Sequence, residues 1–188
     1  MANLILASSS PRRQELLQQL GLAFHVHAPN IDESVLAHES VSNYVQRLAQ
    51  QKAQAVLATY PDAVVIAADT SLSLSDQIIG KPENKQHAFE IWSMLSGRAH
   101  SVLTGVCVAT QAQIQHTVVT TQVEFQQLSL ADMEHYWASG EPMGKAGGYA
   151  IQGLAAQYIP RIDGSYSNVV GLPLYETVQL LKAVHVLD

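Results

Sequence analysis

Ser8-Ser9-Ser10-Pro11-Arg12-Arg13 follows a short apolar run, Leu4-Ile5-Leu6-Ala7, and opens a helical pattern. A strand, a polar loop and a helix start in that order make an anion cradle. Proline suits the first helical turn, where its missing N–H is not needed, Ser10 is placed to cap, and the free amides and helix dipole face whatever lies in front. Arg12 and Arg13 add two planar donors that match phosphate oxygens. Asp69 closes a second apolar run, Ala63-Val64-Val65-Ile66-Ala67-Ala68, which has the look of a central strand covered on both faces. The carboxyl ends of such strands are where ligands bind in open α/β sheets. Lys81 stands in a Gly-Lys-Pro corner that fixes where its ammonium points.

The elements that must hold these groups follow from apolar periodicity. Residues 4–7 read as a buried strand and 11–20 as a helix that Gly21 stops. A second helix is expected over 43–59, with Val45, Leu48, Ala49 and Val56 on one face, and a turn at Pro61-Asp62 leads into the strand over 63–68. Residues 71–75 alternate, turn near Asp76 and return through Ile78-Ile79 as a hairpin. A helix over 85–96, capped by Asn84 and stopped by Gly97, precedes two long alternating strands over 101–109 and 117–125. Then come a helix opened by Ser129, a glycine-rich loop, a loop over 165–168 and a C-terminal helix after Pro173. The class is mixed α/β, and 188 residues with 47% apolar content suit one domain, two-lobed, over 1–188.

Composition narrows the partners. A net charge of −6 argues against a nucleic-acid backbone, whereas a small polyanion requires only a local cluster of the ten Lys and Arg. No apolar run approaches the roughly 20 residues of a membrane span and the start of the chain does not read as a signal peptide, so a cytoplasmic protein is expected. Cys107 is the one cysteine, in an alternating Val/Cys/Val run, which points to a core thiol rather than a nucleophile. The eight histidines form no metal pattern, and His25 and His27 read as ordinary strand residues.

Five segments occur in order: the opening Ser8–Arg13 stretch, Ala67-Ala68-Asp69-Thr70, Ile79-Gly80-Lys81-Pro82, the run from Gly144 to Gly153 containing Gly147-Gly148 and Gln152, and the run from Gly164 to Pro173. Together they resemble the Maf family of nucleoside triphosphate pyrophosphatases, from about residue 3 to the C-terminal helix. Arginine after the proline, threonine after the aspartate and glutamine before the late glycine resemble the branch that hydrolyses dTTP and UTP. The resemblance implies an elongated twisted sheet flanked by helices, two lobes with a central cleft (Maf/ITPase-like), and a homodimer as the assembly.

Such an enzyme must hold a triphosphate, neutralise the leaving pyrophosphate and aim water in line at the α-phosphorus. Arg12, Arg13 and Lys81 are the expected phosphate cations. Asp69 is a weak base at pH 7, which suits binding a divalent ion or orienting water, while the resemblance assigns it as proton acceptor. Mg²⁺ or Mn²⁺ is the implied cofactor, with Glu33 resembling the second acidic position and Asp32 an open alternative. The Gly147-Gly148 pair would let backbone approach a ligand closely, and Gln152 presents an amide suited to a pyrimidine edge. By resemblance, Thr70 and Gln152 read the base with Arg12, and Ser8 and Asn168 touch phosphate or sugar. Arg13 and Lys52 fall on apolar helix faces, so both charges are expected to point inward, border the cleft and be poorly compensated in the empty protein. Two other functions fit the same residues: a house-cleaning hydrolase for modified purine triphosphates, and a nucleotide-sensing regulator of cell division that binds without turnover.

Overall fold

A computed structural model describes residues 3–187. In chain order it contains β1 (Leu4–Leu6), α1 (Pro11–Gln18), β2 (His25–Val26), α2 (Val41–Thr59), β3 (Val64–Leu74), β4 (Gln77–Ile79), α3 (Lys85–Leu95), β5 (Ala99–Ala109), β6 (Ile114–Glu124), α4 (Leu130–Ala138), β7 (Arg161–Asp163), α5 (Tyr166–Val170) and α6 (Leu174–Ala183). Among the described residues the strands form one seven-stranded sheet, ordered β2-β1-β3-β5-β6-β7, with β4 paired to β3. β1 runs parallel to β2 and β3, and the remaining pairs are antiparallel. No helix among the described residues is long and apolar enough to cross a membrane.

Alternation along the long strands sorts their side chains onto two faces. On one face Ile66, Ala68, Val106 and Val108 join Leu16, Leu17, Leu172 and Leu181 of α1, α6 and the turn between α5 and α6. Further along that face Leu72, Val102 and Val123 join Trp92, Leu95, Tyr136 and Tyr149 as a second core. Thr70, Thr104 and Thr121 occupy the stretch between them, so a polar belt separates two lobes. On the opposite face Ala67, Val65 and Cys107 pack under Ala49, Ala53 and Val56 of α2. Cys107 is fully buried, and burial pushes its thiol up to about 12.

Helix signals act much as the sequence indicates. The side chain of Asn84 accepts from His87 N and Ser129 forms a capping box with Asp132, whereas α2 starts at Val41, two residues before its expected start, because the Ser40 side chain accepts from Asn43 N. Ser75 and Asp76 both take positive φ, the geometry of a tight two-residue hairpin turn.

Three expectations are corrected. Ser10 occupies the cap position of α1 but its side chain caps nothing; its own N–H donates to Ser8 Oγ at 3.2 Å. The strand over 63–68 does not stop before Asp69, because the alternating residues beyond it continue pairing with β5 through Ser73 and Ser101. Asp69 is therefore a mid-strand residue. The loop expected over 165–168 is also partly helical, as the start of α5.

Candidate active site

The site opens where the sheet edge is interrupted. β1 covers β3 along Val64–Ile66 and β4 covers it along Leu72–Leu74, which leaves 67–71 without a strand neighbour on that side. Asp69 and Thr70 lie in this gap with side chains on opposite faces of the sheet. A cleft of about 350 Å³ occupies the gap, and its walls include Ser8, Arg12, Arg13, Glu33, Lys52, Asp69, Thr70, Lys81, Lys145 and Gln152. It is the end of β1, rather than the end of β3, that places ligand-facing groups here.

Lys52 of α2 reaches into the cleft floor. Its Nζ lies 2.6 Å from Asp69 Oδ1 and 2.7 Å from Glu33 Oε1, and both Lys52 and Asp69 are 8% exposed. The inward direction expected for Lys52 is observed, but the expectation of a poorly compensated charge is overturned: two carboxylates share it. Desolvation is the largest single influence on Glu33 and pushes its pKa up. The hydrogen bond and charge of Lys52, with Lys81 and Arg13, more than reverse this and leave it below the usual carboxylate range.

Glu33 sits on a loop that α2 ties down. Tyr44 OH donates to the Glu33 carbonyl at 3.0 Å. Arg47 forms a two-pronged pair with Glu39 at 2.6 and 2.7 Å and donates to Ser34 O at 3.0 Å. Burial, then the charges of Asp69 and Glu33, push the Tyr44 phenol up to about 12. Asp32 instead folds back onto Ser34, accepting from its N–H at 2.9 Å and its hydroxyl at 2.6 Å, outside the cleft. Of the two carboxylates left open by the sequence, only Glu33 meets Asp69.

Arg13 is held by neutral oxygens. Its Nε donates to Gly171 O at 2.7 Å, Nη1 to Ser8 Oγ at 3.3 Å and Nη2 to Thr70 Oγ1 at 3.1 Å. Burial lowers its pKa, opposed by the charge of Asp69. Arg12 and Lys81 line the cleft and make no hydrogen bond or ion pair among the described residues, so their donors face open space. Lys145 Nζ donates to the carbonyl oxygens of Glu141 and Met143, and its pKa is lowered by desolvation and then by Arg12.

Gln152 projects into the cleft from a short loop clasped on both sides. Ala150 N donates to Tyr136 OH at 3.1 Å, that hydroxyl donates to Glu141 Oε1 at 2.6 Å, and Leu154 N donates to Glu141 Oε2 at 2.9 Å. The carboxylate lies so close to Gly153 that a Cβ there would sit 2.7 Å from Oε1 and closer still to Oε2. Nothing in the sequence marks Glu141; its role follows from a contact made 13 residues away.

Two further expectations change. Gly147 and Gly148 do not line the cleft. Both take positive φ, a Cβ on Gly147 would collide with Leu72, and one on Gly148 would meet Pro82 at 3.0 Å. They allow the loop to pack against the β3–β4 hairpin and the Lys81 corner. Asn168 is fully buried, with Nδ2 donating to Val102 O at 3.0 Å and Thr121 Oγ1 at 2.9 Å, so it braces the polar belt and does not reach the cleft.

The family model described as Maf-like protein matches residues 3–184. The chain belongs to the Maf family. Among its Maf relatives, a protein of Acinetobacter baylyi named dTTP/UTP pyrophosphatase is 66% identical over 179 residues, covering 95% of this chain and 98% of that protein. A protein of Colwellia psychrerythraea with the same name is 50% identical, covering 95% and 86%. Among solved structures, the Staphylococcus aureus Ham1 protein aligns at 13% identity and a TM-score of 0.48, covering 65% of this Maf chain and 71% of that one.

Proposed function

We propose that the protein hydrolyses nucleoside triphosphates, dTTP and UTP before others, to the nucleoside monophosphate and pyrophosphate. The observation that carries the reading is the floor of the cleft, where a buried carboxylate and lysine meet beneath unpaired cationic donors. The names of the relatives support the choice of substrate.

In this reading Arg12, Arg13 and Lys81 bind the triphosphate oxygens and offset charge that builds on the leaving pyrophosphate. Asp69 orients the attacking water and takes its proton. Lys52 holds Asp69 in position beside Glu33 through its two ion pairs. Gln152 and Thr70 read the base together with Arg12, whose fork of donors also serves the phosphates, and Ser8 fixes Arg13. Asp69 and Glu33 fit a divalent cation, since both carboxylates converge on one point, now held by the Lys52 ammonium, and hard oxygen donors suit Mg²⁺ or Mn²⁺. When bound, that ion would screen the phosphate charge. The homodimer suggested by the resemblance belongs to the same reading and is checked by sedimentation.

Pyrophosphate release measured across the common NTPs and dNTPs with Mg²⁺ or Mn²⁺ tests the proposal. Turnover led by dTTP and UTP is the expected result. Preference for ITP or a methylated GTP, or binding without turnover, would overturn it.

A further inference from the structure

Thr104 is fully buried on β5, directly opposite Thr70 on β3, and does not line the cleft. Its hydroxyl carries one proton, which goes to the Asn168 carbonyl oxygen at 3.0 Å, an acceptor that can return nothing. Thr70 Oγ1 lies 2.9 Å from Thr104 Oγ1, so the proton of that contact comes from Thr70. On its other side Thr70 Oγ1 receives Arg13 Nη2 at 3.1 Å, and a guanidinium only donates. One assignment satisfies all three contacts: Arg13 to Thr70, Thr70 to Thr104, Thr104 to Asn168. The capacity left on Thr70 at the cleft wall is a lone pair.

We propose that Thr104 is a positioning residue that locks the Thr70 hydroxyl as an acceptor and thereby selects pyrimidine rings carrying hydrogen at N3. The inference rests on the reading above, in which Thr70 faces the base. Thymine and uracil present two carbonyl acceptors flanking an N3–H donor, whereas cytosine presents a bare N3. A free hydroxyl turns to suit either ring. Held by Thr104, it forms a hydrogen bond with N3–H but sets lone pair against lone pair with cytosine. The unpaired donors of Arg12 and Gln152 suit the flanking carbonyls. Discrimination is then a property of a residue that never touches the substrate.

The test is kcat/KM for dTTP and dCTP with the wild type, Thr104→Val and Thr104→Ser, with melting temperature recorded for each. Valine keeps the shape and removes the hydroxyl, so the Thr70 proton is freed to turn toward the ligand. The dTTP-to-dCTP ratio should fall roughly 10-fold or more, and serine should restore it. A second arm uses the wild type alone: the triphosphate of 3-deazauridine, with C–H in place of N3–H, should be turned over roughly 10- to 100-fold less efficiently than UTP. An unchanged ratio in folded Thr104→Val, or 3-deaza-UTP hydrolysed as well as UTP, overturns the inference. If valine prevents folding, the second arm decides. A wild type that hydrolyses neither dTTP nor UTP would instead overturn the proposed function.

Discussion

Gly105 stands opposite Asp69 in the β3–β5 register, and a Cβ built on it would overlap the Val45 carbonyl of α2, 2.6 Å from its carbon. The helix backbone rests directly on the sheet at this point. Lys52, two helical turns beyond Val45 on the same face, is thereby brought down onto Asp69.

Gly105→Ala should therefore lift α2 off the sheet at the site. Overpacking of this kind typically costs about 1–3 kcal/mol, and a backbone obstruction belongs at the upper end, so a fall of roughly 5–10 °C in melting temperature is expected. Turnover of dTTP should drop as well. An alanine variant with wild-type melting and turnover would show that the close approach does not position Lys52.

Lys52→Met distinguishes the observed pairing from a poorly compensated charge, whose removal would leave thermal stability unchanged or raised. Because Lys52 is paired with Asp69 and Glu33, removing it leaves a buried carboxylate beside a second one. Loss of one partner from a buried pair costs about 3–5 kcal/mol. Melting temperature without nucleotide should fall, and turnover with it. Asp69→Asn, which keeps the shape, should lower turnover by roughly 10² or more. Differential scanning fluorimetry beside a pyrophosphate-release assay reads both.

His100 gives the protein an acid-sensitive core. Its Nε2 lies 2.7 Å from Tyr149 OH, its Nδ1 is buried with no hydrogen-bond partner among the described residues, and burial pushes its pKa down to about 4. Between the unfolded value near 6.5 and about 4 the unfolded chain binds the extra proton, so this stability is complete above the first value and lost as pH falls toward the second. The loss is about 3 kcal/mol. His100→Gln should flatten melting temperature against pH over that window. Glu33, whose pKa is lowered, contributes above the ordinary glutamate range and loses its contribution only below it, so the two windows are separable.

Glu141→Ala removes the clasp from both sides of Gln152 without touching the cleft wall. KM for dTTP should rise roughly 10-fold while kcat changes less, because the loss is in ordering the base reader rather than in the chemistry. Glu141→Gln, which retains one acceptor oxygen, should recover part of the loss. Equal effects on dTTP and on inorganic tripolyphosphate, which has no base, would contradict the assignment.

Local pattern made much of the architecture legible. Alternation located the long strands, expected over 101–109 and 117–125 and found at Ala99–Ala109 and Ile114–Glu124, and capping residues located α3 and α4. Asp69 is mid-strand rather than at a strand end because residues 71–75, which read as a separate hairpin arm, continue the same strand, and their pairing with β5 depends on residues about thirty positions away. Charges facing inward from α1 and α2 were readable from helical period, but the partners of Lys52 lie on a strand and a loop whose meeting no period encodes. The resemblance implies a ligand contact for Asn168, within the motif that runs from Gly164 to Pro173. Burial beneath β5 and β6 uses its amide instead.

The cleft wall carries five cations, Arg12, Arg13, Lys52, Lys81 and Lys145, against two carboxylates, Glu33 and Asp69. That leaves the cleft at +3, so with the whole chain at −6 the remainder carries −9. The molecule is thus strongly polarised, with one positive mouth in a negative body. A polyanion is repelled by the net charge of the body and drawn toward the interrupted sheet edge, so the field favours capture at the cleft before any hydrogen bond tests the base.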